Sequence, residues 1–349
     1  MSGHPRPAWT LTADGSAITA ALAPRLISLT LTDNRGLEAD TLELVLDDAD
    51  GRLDLPMRGT ELRLALGWQG QGLIDKGSYT VTDVEHAGTP DTITVRATSA
   101  NLRGALADLR ERSWHQTSVG AIVRKIATEH GLTPAIEPTL DRASVGHLDQ
   151  ANESDINLLT RLAREHDAIA TIKAGRLLFL AAGQGTSVSG AELPTLTIER
   201  RQGDQHRFSL ADRDQASTVV ASYQDSRSSK RGSVRYAGPA GERPSQTKSK
   251  AIAADTGNTL TLRHVYASKG NAQRGAKSAW ERAQRGAASF SISLALGRPD
   301  LIPECPVRVQ GFKPLIDGQP WIVKALTHTL GDGGLTTSVE LEVLLETAA

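Results

Sequence analysis

The chain has 349 residues, of which 39% are hydrophobic, 23% are charged and 4% are aromatic, and its formal net charge at pH 7 is −1. This length predicts about two to three domains, and the near-neutral charge does not favour a surface that binds nucleic acid or anionic membranes. The single cysteine, Cys305, excludes an internal disulfide and a zinc-binding cysteine cluster, and no apolar run is long enough to span a membrane. We therefore expect a globular protein that is made and folds in a reducing cytoplasm.

Residues 8–100 alternate repeatedly between apolar and polar side chains, which is typical of β-strands. In residues 25–32 the apolar face consists of Ile27, Leu29 and Leu31, and in residues 41–46 it consists of Leu42, Leu44 and Leu46. About five to seven strands without a long helix between them predict an antiparallel barrel or sandwich. We assign residues 1–100 to this first β-barrel domain.

The pattern changes at Asn101, where helical periodicity replaces alternation. Residues 117–131 predict a helix that ends at Gly131, with an apolar face formed by Val119, Ile122, Val123 and Ile126. A second helix is predicted from its N-cap, Asn152, to His166. Residues 168–180 then predict a hairpin, so that residues 101–182 form a small α/β module of two helices and a hairpin.

Residues 183–349 are predicted to form a second β-barrel domain that follows a small, polar linker. Strands are expected at residues 196–198, 217–223 and 289–296. Residues 224–258 contain few apolar side chains and predict a mobile basic loop that carries Arg227, Lys230, Arg231, Arg235, Lys248 and Lys250. Residues 271–288 look helical around Trp280, although Gly275 and Gly286 weaken the pattern.

Two stretches, residues 73–86 and 315–328, resemble each other when they are aligned without a gap. Both begin with Leu-Ile-Asp, and the further matched positions are Tyr79 with Trp321, Val81 with Val323, Val84 with Leu326 and His86 with His328. An alternating strand precedes and follows each copy, so the pattern predicts a β-meander that occurs twice. We interpret it as an internal duplication. Coincidence is the alternative, because short hairpins use few residue types.

No catalytic, cofactor-binding or metal-binding constellation is identified in the sequence. It contains nine histidines, but no His-Glu-x-x-His motif, no Gly-x-Ser-x-Gly elbow and no phosphate-binding glycine loop. His86 and His328 recur at matched positions, which allows a paired site. A strand-end residue inherited with the repeat is the favoured interpretation.

The acidic segment 47–54 has some features of a calcium-binding loop, which come from Asp48, Asp50 and Gly51. However, Arg52 occupies a ligand position, and no glutamate stands where the loop would need its last ligand. A polar turn between strands is therefore the favoured interpretation.

Two other polar groups are candidates for a functional site, and neither is favoured. Asp108 and Glu111 near His115 are conceivable as an acid and a base, but nothing in the sequence connects them to a cleft. The basic run from Arg227 to Arg235 is conceivable as a phosphate contact, yet the only aromatic residues close to it are Tyr223 and Tyr236. A solvated loop is favoured there.

Three stretches of the chain resemble the phage late control gene D protein family, the baseplate hub of contractile tails. The first is residues 26–47, with Asp-Thr-Leu-Glu-Leu-Val-Leu-Asp from Asp40; the second is residues 150–166, followed by Gly-Arg-Leu-Leu-Phe from Gly175; the third is residues 315–341. With the spacing of the strands, the match covers nearly the whole chain. The chain is more distantly similar to the hub part of the type VI secretion VgrG spike proteins. It departs from the family at Asp167 and Ala168, where glycine and aromatic residues are common.

This resemblance implies a homotrimer in which each chain supplies two related barrels. Three chains would then present six similar barrels, so that a sixfold tail tube docks on one face and a threefold central spike on the other, through closed, heterologous interfaces. The implied protein is structural, without catalysis or a cofactor, and acts as a symmetry adaptor in a phage tail or a tailocin. Because the sequence ends at Ala349 without a β-helix or a lysozyme-like insertion, we expect the spike to be a separate polypeptide.

The implied partners are the spike trimer, the tail tube protein, other baseplate proteins and the tape measure protein, without specific nucleic acid and without membrane insertion. The implied location is the tail baseplate of the virion, after assembly in the host cytoplasm. The basic run Arg227–Arg235 would then line the ring lumen or touch a neighbour. Two alternatives remain: a cell-wall-degrading hub enzyme, which needs a paired-carboxylate cleft, and a peripheral receptor- or carbohydrate-binding module, which needs clustered aromatic residues.

Overall fold

The computed structural model describes residues 5–99, 105–173, 175–210, 216–225, 230–238 and 258–345. These residues form four parts: a first β-unit, an α/β module, a second β-unit, and a small subdomain inserted into the second β-unit. The two β-units share one 13-stranded sheet, and the other strands form three smaller sheets. The predicted mainly β fold with antiparallel units is confirmed.

The first β-unit is a seven-stranded part of the large sheet, in the order β3-β4-β7-β6-β5-β1-β2. Its elements are β1 (Pro7–Ala13), β2 (Ser16–Ala17), α1 (Thr19–Leu22), β3 (Leu26–Asp33), β4 (Thr41–Asp47), β5 (Glu61–Trp68), β6 (Ile74–Ala87) and β7 (Thr92–Ser99). Strands near both ends of this order contribute to one core, for example Leu11 of β1 and Leu31 of β3, so the sheet surrounds that core. No ladder joins β1 or β2 to β3 among the described residues, so closure into the predicted barrel is not found.

The predicted alternation in β3 and β4 is correct except at Ile27. Leu29 and Leu31 are fully buried and the leucines of β4 are also buried, whereas Ile27 is 45% exposed. A β-bulge between Leu26 and Ser28 turns Ile27 to the opposite face, which an alternation pattern does not reveal.

The α/β module contains two small sheets that pack with its helices around one core. Its elements are β8 (Leu109–Ser118), α2 (Val119–Glu129), β9 (Thr133–Ile136), α3 (Pro138–Asp141), β10 (Ser144–Ser154), α4 (Asp155–Glu165), β11 (Ala168–Lys173) and β12 (Arg176–Ala181). The predicted helices and hairpin are present. The N-cap of α4 is Ser154, which accepts a hydrogen bond from the Asn157 backbone at 3.2 Å, and not Asn152 as predicted. Asn152 instead lies at the end of β10 with a φ of 50°.

The remaining described chain contains the second β-unit and its inserted subdomain. Its elements in order are β13 (Leu196–Glu199), β14 (Gly203–Leu210), β15 (Thr218–Asp225), β16 (Lys230–Tyr236), β17 (Thr259–Tyr266), α5 (Lys269–Arg285), β18 (Ala288–Leu294), β19 (Pro306–Gln310), α6 (Pro314–Asp317), β20 (Trp321–Gly331) and β21 (Gly334–Val343). The second β-unit consists of β13, β14 and β18 to β21. Its core includes Phe290 and Trp321, both fully buried.

Within the predicted basic loop of residues 224–258, the structure corrects the prediction for Lys230–Tyr236, which belong to the inserted subdomain. Lys230–Tyr236 form β16, the edge strand of a sheet with the order β16-β15-β17, and α5 packs against this sheet. The side chains of Val234 and Tyr236, two positions apart on one face of the strand, pack against the core of the subdomain. The ring of Tyr236 makes an edge contact with Trp280 of α5, with ring centroids 5.8 Å apart. Residues 226–229 and 239–257, with Arg227, Lys248 and Lys250, lie outside the described residues.

The two β-units repeat the same strand order. The order β3-β4-β7-β6-β5 in the first unit corresponds to β14-β18-β21-β20-β19 in the second. Both copies of the repeat also contain a β-bulge at the same offset, at Thr82 of β6 and Lys324 of β20. A bulge is a specific local feature, so its recurrence supports the duplication. The flanking strand differs, since β1 runs antiparallel to β5 and β13 parallel to β19.

The two aromatic residues of the repeat have equivalent roles. Tyr79 and Trp321 are buried in the cores of their own units, 3% and 0% exposed. The Tyr79 hydroxyl donates to the Lys76 carbonyl at 2.7 Å, and the Trp321 indole nitrogen donates to the Ile316 carbonyl at 2.9 Å. Each side chain therefore donates to a backbone carbonyl that precedes it in the chain, within β6 for Tyr79 and in α6 for Trp321.

Candidate assembly interface

The junction between the two β-units is a strand ladder. Residues 326–331 of β20 pair antiparallel with residues 28–33 of β3, while Trp321 and Ile322 of β20 pair with β19. The first half of β20 therefore belongs to its own unit, and its second half bridges to the other unit.

The equivalent half of β6 is open. Residues 74–80 of β6 pair with β5, but residues 83–87 pair only with β7 within the described chain. We call residues 83–87 the β6 edge. The counterpart of β3, strand β14, lies at the end of the large sheet and pairs only with β18 among the strands described. We call the unpaired side of Gly203–Leu210 the β14 edge. Both edges expose backbone groups that can accept another strand.

The β6 edge is acidic, whereas the β14 edge carries one acidic residue, Asp204, and one basic residue, Arg207. Asp83 and Glu85 project from the β6 edge and share Arg96, whose Nη1 lies 3.2 and 3.1 Å from their carboxylates. Glu43 also contacts Arg96, at 2.8 Å, so three acidic groups surround one cation. The carboxylates raise the pKa of the Arg96 guanidinium, with the Glu85 hydrogen bond as the largest cause. On the β14 edge, Arg207 is exposed and has no ion pair with any residue that the structure describes.

The histidines of the repeat lie in different environments and do not form a paired site. His328 is fully buried, and its Nδ1 lies 2.8 Å from the Thr337 hydroxyl. Burial lowers the pKa of His328 to about 3, and the nearby positive charge of Lys76 acts in the same direction. His86 is exposed, with its Nε2 3.7 Å from Asp48. The difference follows from the ladder, because β3 covers His328 and no described strand covers His86.

A network of buried and partly buried ion pairs connects the parts of the chain. Arg35 of the first β-unit contacts Glu304 and Glu342 of the second at 2.6 and 2.5 Å. Glu342 also lies 3.3 Å from Arg285 of α5, which binds Asp167 of the α/β module. Burial raises the pKa of Glu304, although Arg35 opposes that change. These ion pairs connect the first β-unit, the α/β module and the second β-unit.

An exposed apolar groove of about 750 Å³ lies where the two β-units meet. Trp68 forms part of its wall and donates its indole N–H to the Gly297 carbonyl at 3.0 Å. Ile74 and Leu296 also line it and are 37% and 55% exposed.

One cluster in the α/β module has the composition of a metal site, and sequence analysis missed it. Ligand atoms of Glu129, His130 and Asp155 all lie within 4.8 Å of one another. However, Arg110 and Arg112 contact both carboxylates, at 3.1 and 2.7 Å for Glu129. Burial raises the pKa of Asp155, but hydrogen bonds from His130 and Gln150 and the two arginines lower it overall. Two cations already neutralise this group, so it fits an ion-pair cluster better than a cation site.

The acidic segment 47–54 is a turn that is stabilised by its own side chains. Arg25 donates two hydrogen bonds to Asp50, at 2.7 and 2.6 Å, and these bonds lower the pKa of Asp50 to about 2. The Asp48 carboxylate accepts from the Leu53 backbone at 3.0 Å. The polar-turn interpretation therefore agrees with the structure.

The other polar candidates are exposed. Asp108, Glu111 and His115 lie on the surface, and His115 stacks on His147 of the neighbouring strand with ring centroids 4.6 Å apart. The structure does not bring the two carboxylates into a cleft with His115. On β16, Lys230, Arg231 and Arg235 are exposed in the described part of the basic run.

Among the described helices, even the 17-residue α5 lacks the length and apolar character that a membrane crossing requires.

Comparison with known proteins identifies clear relatives. Residues 24–334 match a family described as phage tail baseplate hub (GPD). The chain is 45% identical to a protein named "Probable baseplate hub protein" from Escherichia phage 186, over 97% of this chain and 93% of that one. It is 42% identical to the protein of the same name from Escherichia phage P2, over 97% and 94%.

Solved structures share the fold at low sequence identity. The 43 kDa tail protein of prophage MuSo2 from Shewanella oneidensis superposes with a TM-score of 0.68 at 14% identity, over 96% of this chain and 98% of that one. The E. coli c3393 protein, a type VI secretion system component, gives a TM-score of 0.58 at 12% identity, over 96% and 77%. The distant similarity to type VI secretion proteins is therefore a similarity of fold.

Proposed function

The chain belongs to the phage tail baseplate hub (GPD) family, and on that premise we propose that it is a structural hub subunit that assembles as a homotrimeric ring. The ring would adapt a sixfold tail tube to a threefold central spike. It would be a component of the virion, or of a tailocin, and would be assembled in the host cytoplasm before incorporation.

The repeated strand order is the observation that carries this proposal. One chain contains two units with the same order and the same bulge, joined by a strand ladder. Three such chains in a closed ring would present six similar units to a sixfold partner, while the ring itself keeps threefold symmetry. The proposed partners are the tail tube protein, a separate spike trimer, other baseplate proteins and the tape measure protein.

We propose no catalytic role for this subunit. Its buried carboxylates support ion pairs, as Asp155 and Glu304 do, and its exposed acidic clusters contain arginine, as around Arg96. A retaining or inverting glycosidase would need two free carboxyl groups across a cleft. A cell-wall digestion assay with the purified protein tests this point, and release of peptidoglycan fragments would favour the enzyme alternative.

The trimer is tested by native mass. We expect the purified protein, measured by light scattering across a concentration series and again with its spike protein, to reach three times the chain mass. Electron-microscopy class averages of the same sample should show a ring with threefold symmetry whose outline has six similar lobes. A monomer in both samples would overturn the ring and would favour a peripheral binding module.

A further inference from the structure

We infer that the β6 edge of one copy pairs with the β14 edge of the next copy, in the register that β20 and β3 use within the chain. This inference rests on the proposed trimer and identifies its contact surface. Within one chain, the second half of β20 bridges to β3. The counterparts of these two segments are the β6 edge and β14, and both are unpaired on the corresponding side in the described chain.

The register follows from the duplicated ladders. Because Val81 and Val323 stand at equivalent bulges, residues 84–87 correspond to residues 326–329. In the other strand, Leu31 pairs with Leu42 of β4, and its counterpart Phe208 pairs with Phe290 of β18. Leu42 and Phe290 are equivalent for the following reason. In the first unit, Leu42 pairs with Ala97 of β7, which pairs with Val81. In the second unit, Phe290 pairs with Leu341 of β21, which pairs with Val323.

Transfer of the β20–β3 pairing to these positions gives a specific set of contacts. His328 with Leu31 becomes His86 with Phe208 of the next copy, and Thr329 with Thr30 becomes Ala87 with Arg207. On the same basis, Glu85 lies opposite Ser209 of the next copy, and Val84 lies opposite Leu210.

Burial at the equivalent positions supports the missing strand. Leu31 and His328 are fully buried because each strand covers the other, whereas Phe208 is only partly buried and His86 is exposed. Leu210, 48% exposed, would meet the partly buried Val84. A strand at this position would remove these apolar groups from water, as it does within the chain.

Charge favours the same register. At the β6 edge, Asp83 and Glu85, together with Glu43 of β4, surround a single cation, Arg96 of β7. Arg207 of the next copy, opposite Ala87, would project from the same face next to Glu85. The acidic cluster would thereby gain a second cation, and Arg207 would gain the acidic partners that it lacks among the described residues.

Repetition of this contact closes a ring and leaves no open edge at either position. The junctions would alternate between the β20–β3 ladder inside a chain and the β6–β14 ladder between chains. Six similar units would then be joined by six similar junctions, which is how a trimer can mimic sixfold symmetry. It would also cover two exposed strand edges that favour uncontrolled association in a free subunit.

Disulfide cross-linking tests the register. Directly opposed residues of antiparallel strands have Cα atoms about 4.5–5.5 Å apart, which suits a disulfide. We expect the double variant Ala87→Cys/Arg207→Cys to form covalent trimers under mild oxidation and to return to single chains on reduction. The native Cys305 is buried, 2% exposed, and should not interfere. The controls are the two single variants and the misregistered pair Ala87→Cys/Leu210→Cys, which should remain largely uncross-linked.

A charge exchange gives a second readout. Arg207→Glu should weaken trimer formation about two- to fivefold per interface, the effect of an exposed ion pair, and Glu85→Arg added to it should restore assembly. Arg308→Glu, an equal change on the exposed face of β19, is the matched control and should leave the trimer intact.

The outcomes separate the two proposals. A trimer by native mass that shows no specific cross-link and tolerates Arg207→Glu would overturn the edge pairing and leave the hub ring standing. Absence of a trimer in the unmodified protein would overturn both.

Discussion

Arg285 and Asp167 form a two-pronged ion pair in the interior of the protein. Nη1 and Nη2 of Arg285 donate to the two oxygens of Asp167 at 2.6 and 2.5 Å, and the two residues are only 4% and 7% exposed. Arg285 ends α5 in the inserted subdomain, and Asp167 lies between α4 and β11. The pair therefore joins two parts of the chain that have separate cores.

We expect Arg285→Met to lower the free energy of unfolding by about 3–5 kcal/mol, because it leaves a buried carboxylate without its main partner. Urea denaturation measures this change. Lys277→Met, which removes an exposed ion pair from the same helix, should cost less than about 1 kcal/mol. The double variant Arg285→Met/Asp167→Asn should recover part of the loss, because it removes the unpaired charge and asparagine tolerates the φ of 48° at this position. If Arg285→Met and Lys277→Met lowered the unfolding free energy equally, the Arg285–Asp167 pair would have no special role in stability.

His328 should make stability depend on pH. Its pKa is lowered by burial to about 3 in the folded protein, against about 6.5 in an unfolded chain. Between these values the unfolded state binds a proton that the folded state does not, so the free energy of unfolding should fall as pH decreases from about 6.5 to 3. The slope from this residue approaches about 1.4 kcal/mol per pH unit.

The variant His328→Asn tests this contribution, since an amide can still hydrogen-bond to Thr337. Its unfolding free energy is measured by urea denaturation at a series of pH values. Between about pH 3 and 6.5, the slope against pH should correspond to about one fewer proton bound on unfolding than in the unmodified protein. His166, whose pKa is lowered to about 4 by burial, should contribute separately and with the same sign. An unchanged slope would mean that His328 is protonated in the folded protein.

Gly275 of α5 should not tolerate alanine. A Cβ at this position would lie 2.1 Å from the Tyr266 hydroxyl oxygen and 2.3 Å from the adjoining ring carbon, inside the core of the subdomain. Gly275→Ala should therefore lower the melting temperature of the protein, although alanine in a helix is more favourable than glycine by about 1 kcal/mol. In the same helix, Gly270→Ala would place the Cβ no closer than 4.0 Å to a neighbour and should be neutral or stabilising. Stabilisation by both changes would show that Tyr266 moves aside easily.

Tyr79 should contribute through its hydroxyl as well as through its ring. Tyr79→Phe removes the 2.7 Å bond to the Lys76 carbonyl and should cost about 0.5–1.5 kcal/mol in urea unfolding. The equivalent change Trp321→Phe removes the bond to Ile316 and also leaves a cavity, so it should cost more. If the phenylalanine variant at Tyr79 unfolds like the unmodified protein, the hydroxyl has no structural role.

The meanders were predictable from sequence because every element in them is local. Alternation identifies the strands, and the matched Tyr79 and Trp321 identify the duplication. The bulges at Thr82 and Lys324 were not predictable, since a bulge changes the pairing partner and not the composition. The bulge before Ser28 likewise reversed the predicted direction of Ile27.

Distant contacts account for the rest of what sequence reasoning missed. The sequence predicts a loop at β16 because the strand has few inward residues, Val234 and Tyr236, and because Trp280, which packs in the same core, is far along the chain. The ion network likewise joins Arg35 to Glu342 across most of the sequence. Nothing local indicates that β14 ends a sheet, and only the complete strand order reveals the two open edges.

The ladder between the two β-units also determines how the chain responds to force. Six residue pairs connect β20 to β3, and they lie side by side along the strands. A pull along the strand direction loads all of these pairs at once, whereas a pull across them would open the ladder one pair at a time. A subunit whose ladder strands are aligned with the applied load would therefore be stiff in that direction. The same subunit would yield most easily to sideways peeling.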